Sequence, residues 1–269
     1  MARVVSVTYE VWPSAEAMAL ASARLFAARV ERAVATRGVA RVAISGGSTP
    51  KVMCGLLADP SGPFLNTVPW DKLQLFWVDE RCVGPDDPES NYGVAKELLL
   101  SKVGIPEANV FRMEGELDPE EAAARYESTL RNVMKLEGAE TPAFDLVTLG
   151  MGPDGHTASL FPHTAGLDEM GRLVIANHVP QKDTWRISLT WPVINHAAEV
   201  VFEIDGESKA DVLAEVLIGP RDVERLPSQL IRPASGTLLF LLDEAAAAKL
   251  PAASEVSAGA VHRVGRLEI

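Results

Sequence analysis

Two short stretches of this chain carry side chains that could do chemistry. Gly150-Met151-Gly152-Pro153-Asp154-Gly155-His156-Thr157-Ala158-Ser159-Leu160-Phe161-Pro162 sets an imidazole two residues after a carboxylate, inside a frame of glycines. Ser45-Gly46-Gly47-Ser48-Thr49-Pro50 offers hydroxyls and backbone N–H groups with little side-chain bulk. Imidazole is the side chain that exchanges a proton near neutral pH, which makes His156 a candidate general base. A carboxylate beside such a base fixes its orientation and tautomer, the role open to Asp154. The bland alternative is a histidine that fills the turn or caps a following helix, and structural histidines outnumber catalytic ones.

The second stretch has the makings of an anion site. Glycines let the backbone turn sharply and approach a ligand closely. Ser48 or Thr49 is expected to cap a helix that begins here, with Pro50 in its first turn. A helix N-terminus presents unpaired N–H groups and a partial positive charge, and Gly46, Gly47, Ser48 and Thr49 are the candidates to hold a phosphate on it. The stretch is neither a Walker motif nor G-x-G-x-x-G, and taken alone it reads equally well as an ordinary capped turn. A third group, Asp79-Glu80-Arg81, closes the apolar run from Leu73 to Val78. These three charges either point into a cleft or form the solvated end of the strand.

Elements must exist to bring these loops together, and the apolar pattern supplies them. Strand-like runs fall at Val4 to Thr8, Val39 to Ile44, Leu73 to Val78, Phe144 to Leu149, Leu173 to Asn177, Arg186 to Thr190, Val200 to Ile204 and Thr237 to Leu242. Helical stretches are expected at Ser14 to Thr36, Pro50 to Ala58, Asn91 to Val103, Pro119 to Leu136, Ser208 to Leu217 and Glu244 to Lys249. Alternation of the two predicts an α/β fold, a mostly parallel sheet with helices on both faces. In such sheets ligands bind outside the carboxyl ends of the strands, where both candidate loops lie. There is no repeat and no low-complexity segment, and Gly84 to Ser90 reads as a loop of the site, so residues 1–269 are expected to form one domain.

Composition narrows the function. A formal net charge of −12 argues against a nucleic-acid partner and against anionic membrane surfaces. An acidic chain that binds a phosphorylated ligand must gather its few cations locally. The 47% apolar content fills a sizeable core. The beginning of the chain has no apolar signal core, and the Ala-rich run from Met18 to Val30 is interrupted by Arg24 and Arg29, so a cytoplasmic protein is expected. Cys54 and Cys82 lack metal-type spacing and read as small packed thiols.

The wording of the motifs resembles the 6-phosphogluconolactonase family. The matching segments are Ser45 to Pro50, Asp79-Glu80-Arg81 with Ser90-Asn91, and Gly150 to Pro162, in order and spacing, with weaker agreement at Arg186-Ile187-Ser188-Leu189-Thr190 and Asp205-Gly206-Glu207-Ser208-Lys209. The related glucosamine-6-phosphate deaminases carry a glutamate one residue before the proline that closes the histidine motif. Phe161 stands there, and it cannot move a proton. The resemblance implies a modified Rossmann-like fold, no cofactor and no metal; no partner-docking segment is visible in the sequence, so no obligate protein partner is expected. It implies hydrolysis of 6-phospho-D-glucono-1,5-lactone to 6-phosphogluconate in the oxidative pentose phosphate pathway. In that reading His156 takes a proton from water, Arg81 faces the developing oxyanion, and Asp79 positions His156, Arg81 or the sugar hydroxyls. Arg186 and Lys209 join the 45–50 loop on the phosphate. No serine stands in a G-x-S-x-G setting, so no acyl-enzyme is expected. A sugar-phosphate isomerase or deaminase, and a regulator that only binds a sugar phosphate, are the rival readings.

Overall fold

The computed structural model describes residues 6–251, 255–256 and 262–269. Its strands are β1 (Ser6–Trp12), β2 (Ala40–Ile44), β3 (Leu73–Trp77), β4 (Asp79–Arg81), β5 (Val110–Phe111), β6 (Leu146–Leu149), β7 (Val174–Val179), β8 (Thr184–Leu189), β9 (Glu199–Ile204), β10 (Thr237–Asp243), β11 (Glu255–Val256) and β12 (Arg263–Glu268). The α-helices are α1 (Ala15–Arg37), α2 (Ser48–Leu57), α3 (Asn91–Ala95), α4 (Pro119–Met134), α5 (Trp191–Asn195) and α6 (Ala210–Ile218). Val4 and Val5, expected to open the first strand, lie outside the described residues, as does part of the stretch after Pro251.

Nine strands form the main sheet in the order β11-β12-β1-β10-β9-β6-β2-β3-β5. From β1 through β5 every pairing is parallel, and β12 and β11 close one edge antiparallel. The result is a Rossmann-like α/β architecture with helices on both faces. Alternate strand residues feed two separate cores, as the two-residue period requires. Val42, Leu75, Leu146 and Val201 meet Met18, Phe26 and Val30 of α1 and Met53 and Leu57 of α2. Ala43, Phe76, Val147 and Phe202 face the other way, toward Tyr126 and Leu130 of α4 and Leu213 of α6. Strands buried on both sides have little room for polar residues, which is why their sequences read as continuous apolar runs.

Local signals explain most boundaries. Ser14 accepts from Ala17 N at 3.2 Å and caps α1, and Gly38 ends it in the left-handed conformation at φ 79°. Asp118 caps α4, with Pro119 at its first position. Among the described residues no helix is long and apolar enough to cross a membrane.

Four expectations need correction. The runs Leu173 to Asn177 and Arg186 to Thr190 do not join the main sheet; β7 and β8 pair antiparallel, and β4 adds to β8, giving a separate three-stranded sheet. A short turn at Pro180–Lys182 joins β7 to β8, too short for the crossover that parallel strands need. Asn91 to Val103 is not one α-helix: α3 stops at Ala95 and widens into a π turn at Lys96–Leu100, where Ser101 N bonds Lys96 O at 3.0 Å. The helix toward Leu217 begins as a 3₁₀ turn at Glu207–Lys209. Glu244 to Lys249 forms turns instead of a helix. Only Ala246 of this stretch is buried, so little packing supports a longer helix, and Asp243 caps a single turn by accepting from Ala246 N at 2.7 Å.

A buried acid on β9 breaks the apolar pattern with no cationic partner among the described residues. Glu203 on β9 is 2% exposed and accepts a hydrogen bond from Ser22 of α1, while its Oε2 has no partner among the described residues. Burial pushes its carboxyl up to about 7, against the opposing pull of Ser22. A folded-state value above the unfolded one means that the native state holds this proton more tightly. Its contribution to stability is therefore intact at low pH and lost as pH rises from 4.5 through about 7. Between pH 4 and pH 8, the unfolding free energy of Glu203→Gln should gain roughly 3 kcal/mol relative to wild type. Urea titrations of both proteins at the two pH values check this, and a constant gap would contradict it.

Candidate active site

The cleft is built from strand ends. β2 runs into the 45–50 loop, β6 into the 150–162 loop and β9 into the turn at Asp205, all at the carboxyl edge of the parallel sheet. The small sheet brings β4 and β8 across the same edge, with Arg81 directly opposite Arg186. Together they line a cavity of roughly 300 Å³, the low end of ordinary ligand pockets. Gly46, Gly47, Ser48, Thr49, Asp79, Arg81, His156, Arg186 and Lys209 all border it. Asp154 does not; it stands behind His156.

His156 is fixed on two sides. Its Nδ1 lies 2.5 Å from Asp154 Oδ1, and its ring stacks on Phe161 with centroids 3.9 Å apart and planes 20° from parallel. Burial opposes the ionisation of Asp154, but hydrogen bonding and the charge of His156 outweigh it and bring the carboxyl down to about 2. An ionised Asp154 accepts from Nδ1–H and leaves Nε2 as the proton acceptor on the ring. The glycine frame has a steric reason: a Cβ on Gly152 would sit 2.0 Å from His156 Nδ1.

The 45–50 loop corrects the capping expectation. Gly47, at φ 126°, occupies the N-cap of α2, and no side chain caps the helix. Ser48 is its first residue, and the Thr49 hydroxyl donates to Asp205 across the cleft. The first N–H groups of α2 thus have no side-chain acceptor at the edge of the cavity, the condition for anion binding.

The cations near that helix end are not neutralised. Arg81 donates to Glu89 O at 2.5 Å, Arg186 to Thr184 Oγ1 at 3.1 Å, and Lys209 Nζ to Met151 O at 2.7 Å. All three acceptors are neutral, and none of these cations forms a salt bridge among the described residues. Burial, then repulsion from Arg81, lowers the Arg186 pKa. Burial also lowers that of Lys209, against the pull of Asp154 and Asp205. An anion in the cleft would relieve this repulsion.

Asp79-Glu80-Arg81 is not a solvated strand end. Asp79 is 7% exposed and Glu80 1%. Ser159 Oγ donates to Asp79 Oδ2 at 2.7 Å, so Asp79 bonds to the histidine loop and not to the imidazole. Glu80 accepts from Arg81 N, Asn91 N and Tyr92 N at 2.8 Å each, and from Ser90 Oγ at 3.1 Å. One buried carboxylate therefore pins the 90–92 segment to β4. Asn91 in turn presses on the 45–50 loop, where a Cβ on Gly46 would fall 1.8 Å from its Oδ1.

Sequence reasoning missed Lys182 as a neighbour of the site, and quoted Glu80, Asn91 and Asp205 within its motifs without giving any of them a role. Glu80 was readable only as one of three charges, and no local signal marks a carboxylate whose partners are backbone N–H groups ten residues on. Lys182 sits on the β7–β8 turn, visible only once those strands leave the main sheet. Phe161 marks the sequence by the proton it cannot carry; its stacking on His156 follows from the folded path of the loop.

The fold and the charge of the cleft define a class: a Rossmann-like α/β protein with a strand-end pocket suited to a small anionic ligand. Residues 13–240 match the family described as glucosamine-6-phosphate isomerases/6-phosphogluconolactonase. A 6-phosphogluconolactonase from Synechocystis is 41% identical over 223 residues, covering 82% of this chain and 89% of that protein. One from Nostoc is 40% identical over 245 residues, covering 90% and 98%. Among solved structures, 6-phosphogluconolactonase from Trypanosoma cruzi superposes with a TM-score of 0.80 at 31% identity, covering 90% of this chain and 96% of the other. The chain belongs to the glucosamine-6-phosphate isomerase/6-phosphogluconolactonase family.

Proposed function

We propose that this chain is a 6-phosphogluconolactonase, a carboxylic ester hydrolase that opens 6-phospho-D-glucono-1,5-lactone to 6-phosphogluconate in the oxidative pentose phosphate pathway of the cytoplasm, with residues 1–269 working as one domain. The observation that carries the reading is that His156, held by Asp154, borders one cleft with three cations that form no salt bridge among the described residues. The family includes deaminases as well as lactonases, and Phe161 favours the lactonase because a phenyl ring cannot assist sugar ring opening by proton transfer. The names of the relatives at about 40% identity support the same choice.

The phosphate binds the N–H groups of Gly46 to Thr49, with Arg186 and Lys209 supplying charge. Nε2 of His156 takes a proton from water as the water oxygen bonds to the lactone carbonyl carbon. The carbonyl oxygen becomes an oxyanion, which the Arg81 guanidinium stabilises. Asp154 stabilises the imidazolium that forms. The tetrahedral centre collapses, the bond to the ring oxygen breaks, and the imidazolium returns its proton to that oxygen. Asp79, held by Ser159, keeps the histidine loop against β4 and turns its other oxygen to the sugar hydroxyls. No serine is acylated in this sequence.

A substrate comparison tests the assignment against its rival. Offered the lactone and glucosamine 6-phosphate separately, the protein should release acid from the first and no ammonia from the second. Ammonia release would turn the reading to a deaminase.

A further inference from the structure

Lys182 lies on the same side of the cleft as the imidazole. It occupies the β7–β8 turn, and its Nζ sits 5.9 Å from the centroid of Phe161, the ring that stacks on His156. The turn is tied to the end of the histidine loop, because Gln181 Nε2 donates to Pro162 O at 2.7 Å. Lys182, Phe161 and His156 thus form one stack beside the cavity, which Lys182 also lines. Arg81, Arg186 and Lys209 each donate to a protein oxygen. Lys182 has no hydrogen-bond or salt-bridge acceptor among the described residues, so its ammonium is available to a ligand.

We propose that Lys182 binds the carboxylate of the ring-opened sugar acid and so sets the selectivity of the cleft for product over sugar phosphates that carry no charge at that end. The inference rests on the lactonase reading for the direction in which substrate lies. If the phosphate is on the α2 end, the carbonyl carbon must reach His156, and the carboxylate formed there lies under Lys182. The lactone carries no charge at that carbon; the product does. A flexible lysine at an exposed turn answers a charge that arises during the reaction. Phe161 holds the ammonium over the site through its ring face.

Calorimetric titration of wild type and Lys182→Met with two ligands tests this. One ligand is 6-phosphogluconate; the other is glucitol 6-phosphate, of equal length with CH2OH in place of the carboxylate. Wild type should bind the gluconate about tenfold more tightly, the scale of one charge-assisted hydrogen bond. Lys182→Met should lose that preference while binding glucitol 6-phosphate as before, which also reports that the variant is folded. Equal weakening of both ligands would assign Lys182 to the phosphate and overturn the proposal. So would an unchanged preference in the variant, or none in wild type. Lactone hydrolysis by wild type is followed alongside: its absence would overturn the activity, whereas the ligand preference is read from binding alone.

Discussion

His156→Ala should hydrolyse 6-phosphogluconolactone at least 10²-fold more slowly than wild type, the ordinary worth of a positioned general base. The loss should fall on kcat, because alanine removes a group that acts on water and not on the phosphate. KM, and the affinity for a phosphorylated competitor, should stay within about threefold. Asp154→Asn provides the companion measurement. An amide can still hold the ring, but it does not favour Nδ1–H over Nδ1 as acceptor, and it cannot stabilise the imidazolium. Its kcat should therefore fall by of order 10²-fold as well, and the double variant should be little worse than either single one, as for residues that act as a unit. Steady-state rates corrected for spontaneous ring opening check all three. Near-normal turnover by His156→Ala would remove the imidazole from the reaction.

Arg186→Ala should act in the opposite parameter. A charge-assisted hydrogen bond to phosphate is worth about 1.5–3 kcal/mol, so KM should rise roughly 10- to 100-fold with kcat little changed. The structure adds a second expectation. Burial and then the neighbouring Arg81 charge disfavour the Arg186 cation, outweighing the pull of Asp79 and Glu89. Removing it should leave the melting temperature unchanged or slightly higher, the reverse of what loss of a structural arginine would do. Arg186→Lys should recover only part of the affinity, because a point charge replaces a planar fork. Thermal melts beside the kinetics separate the two roles. A lower Tm together with an unchanged KM would identify Arg186 as structural.

Much of the cleft was legible because chemistry there depends on local patterns. Glycines crowd around His156 for a reason that a sequence can carry: Gly152 leaves room for the ring, and any side chain there would strike it. The 45–50 loop was legible as an anion site, though its cap was not. The backbone of Gly47 takes that position, and the Thr49 hydroxyl turns to Asp205, 156 residues away in the chain. The parallel sheet was legible from apolar runs alternating with helical stretches, but the small sheet was not. Its strands have the same apolar period as those of the main sheet, and only the short turn between β7 and β8 decides their pairing. Glu80 was the hardest to foresee. Its partners are backbone N–H groups and one serine, so its importance lies in the path of the chain and in no residue type nearby.

The most direct test of the account is the rate at which freshly generated 6-phosphogluconolactone disappears with wild type, with His156→Ala and with no protein. The third arm is needed because the lactone also opens unaided. The account predicts clear acceleration by wild type and a rate close to the unaided one with the variant. No acceleration by wild type would contradict the assignment of lactone hydrolysis, and equal acceleration by both proteins would contradict the role of His156.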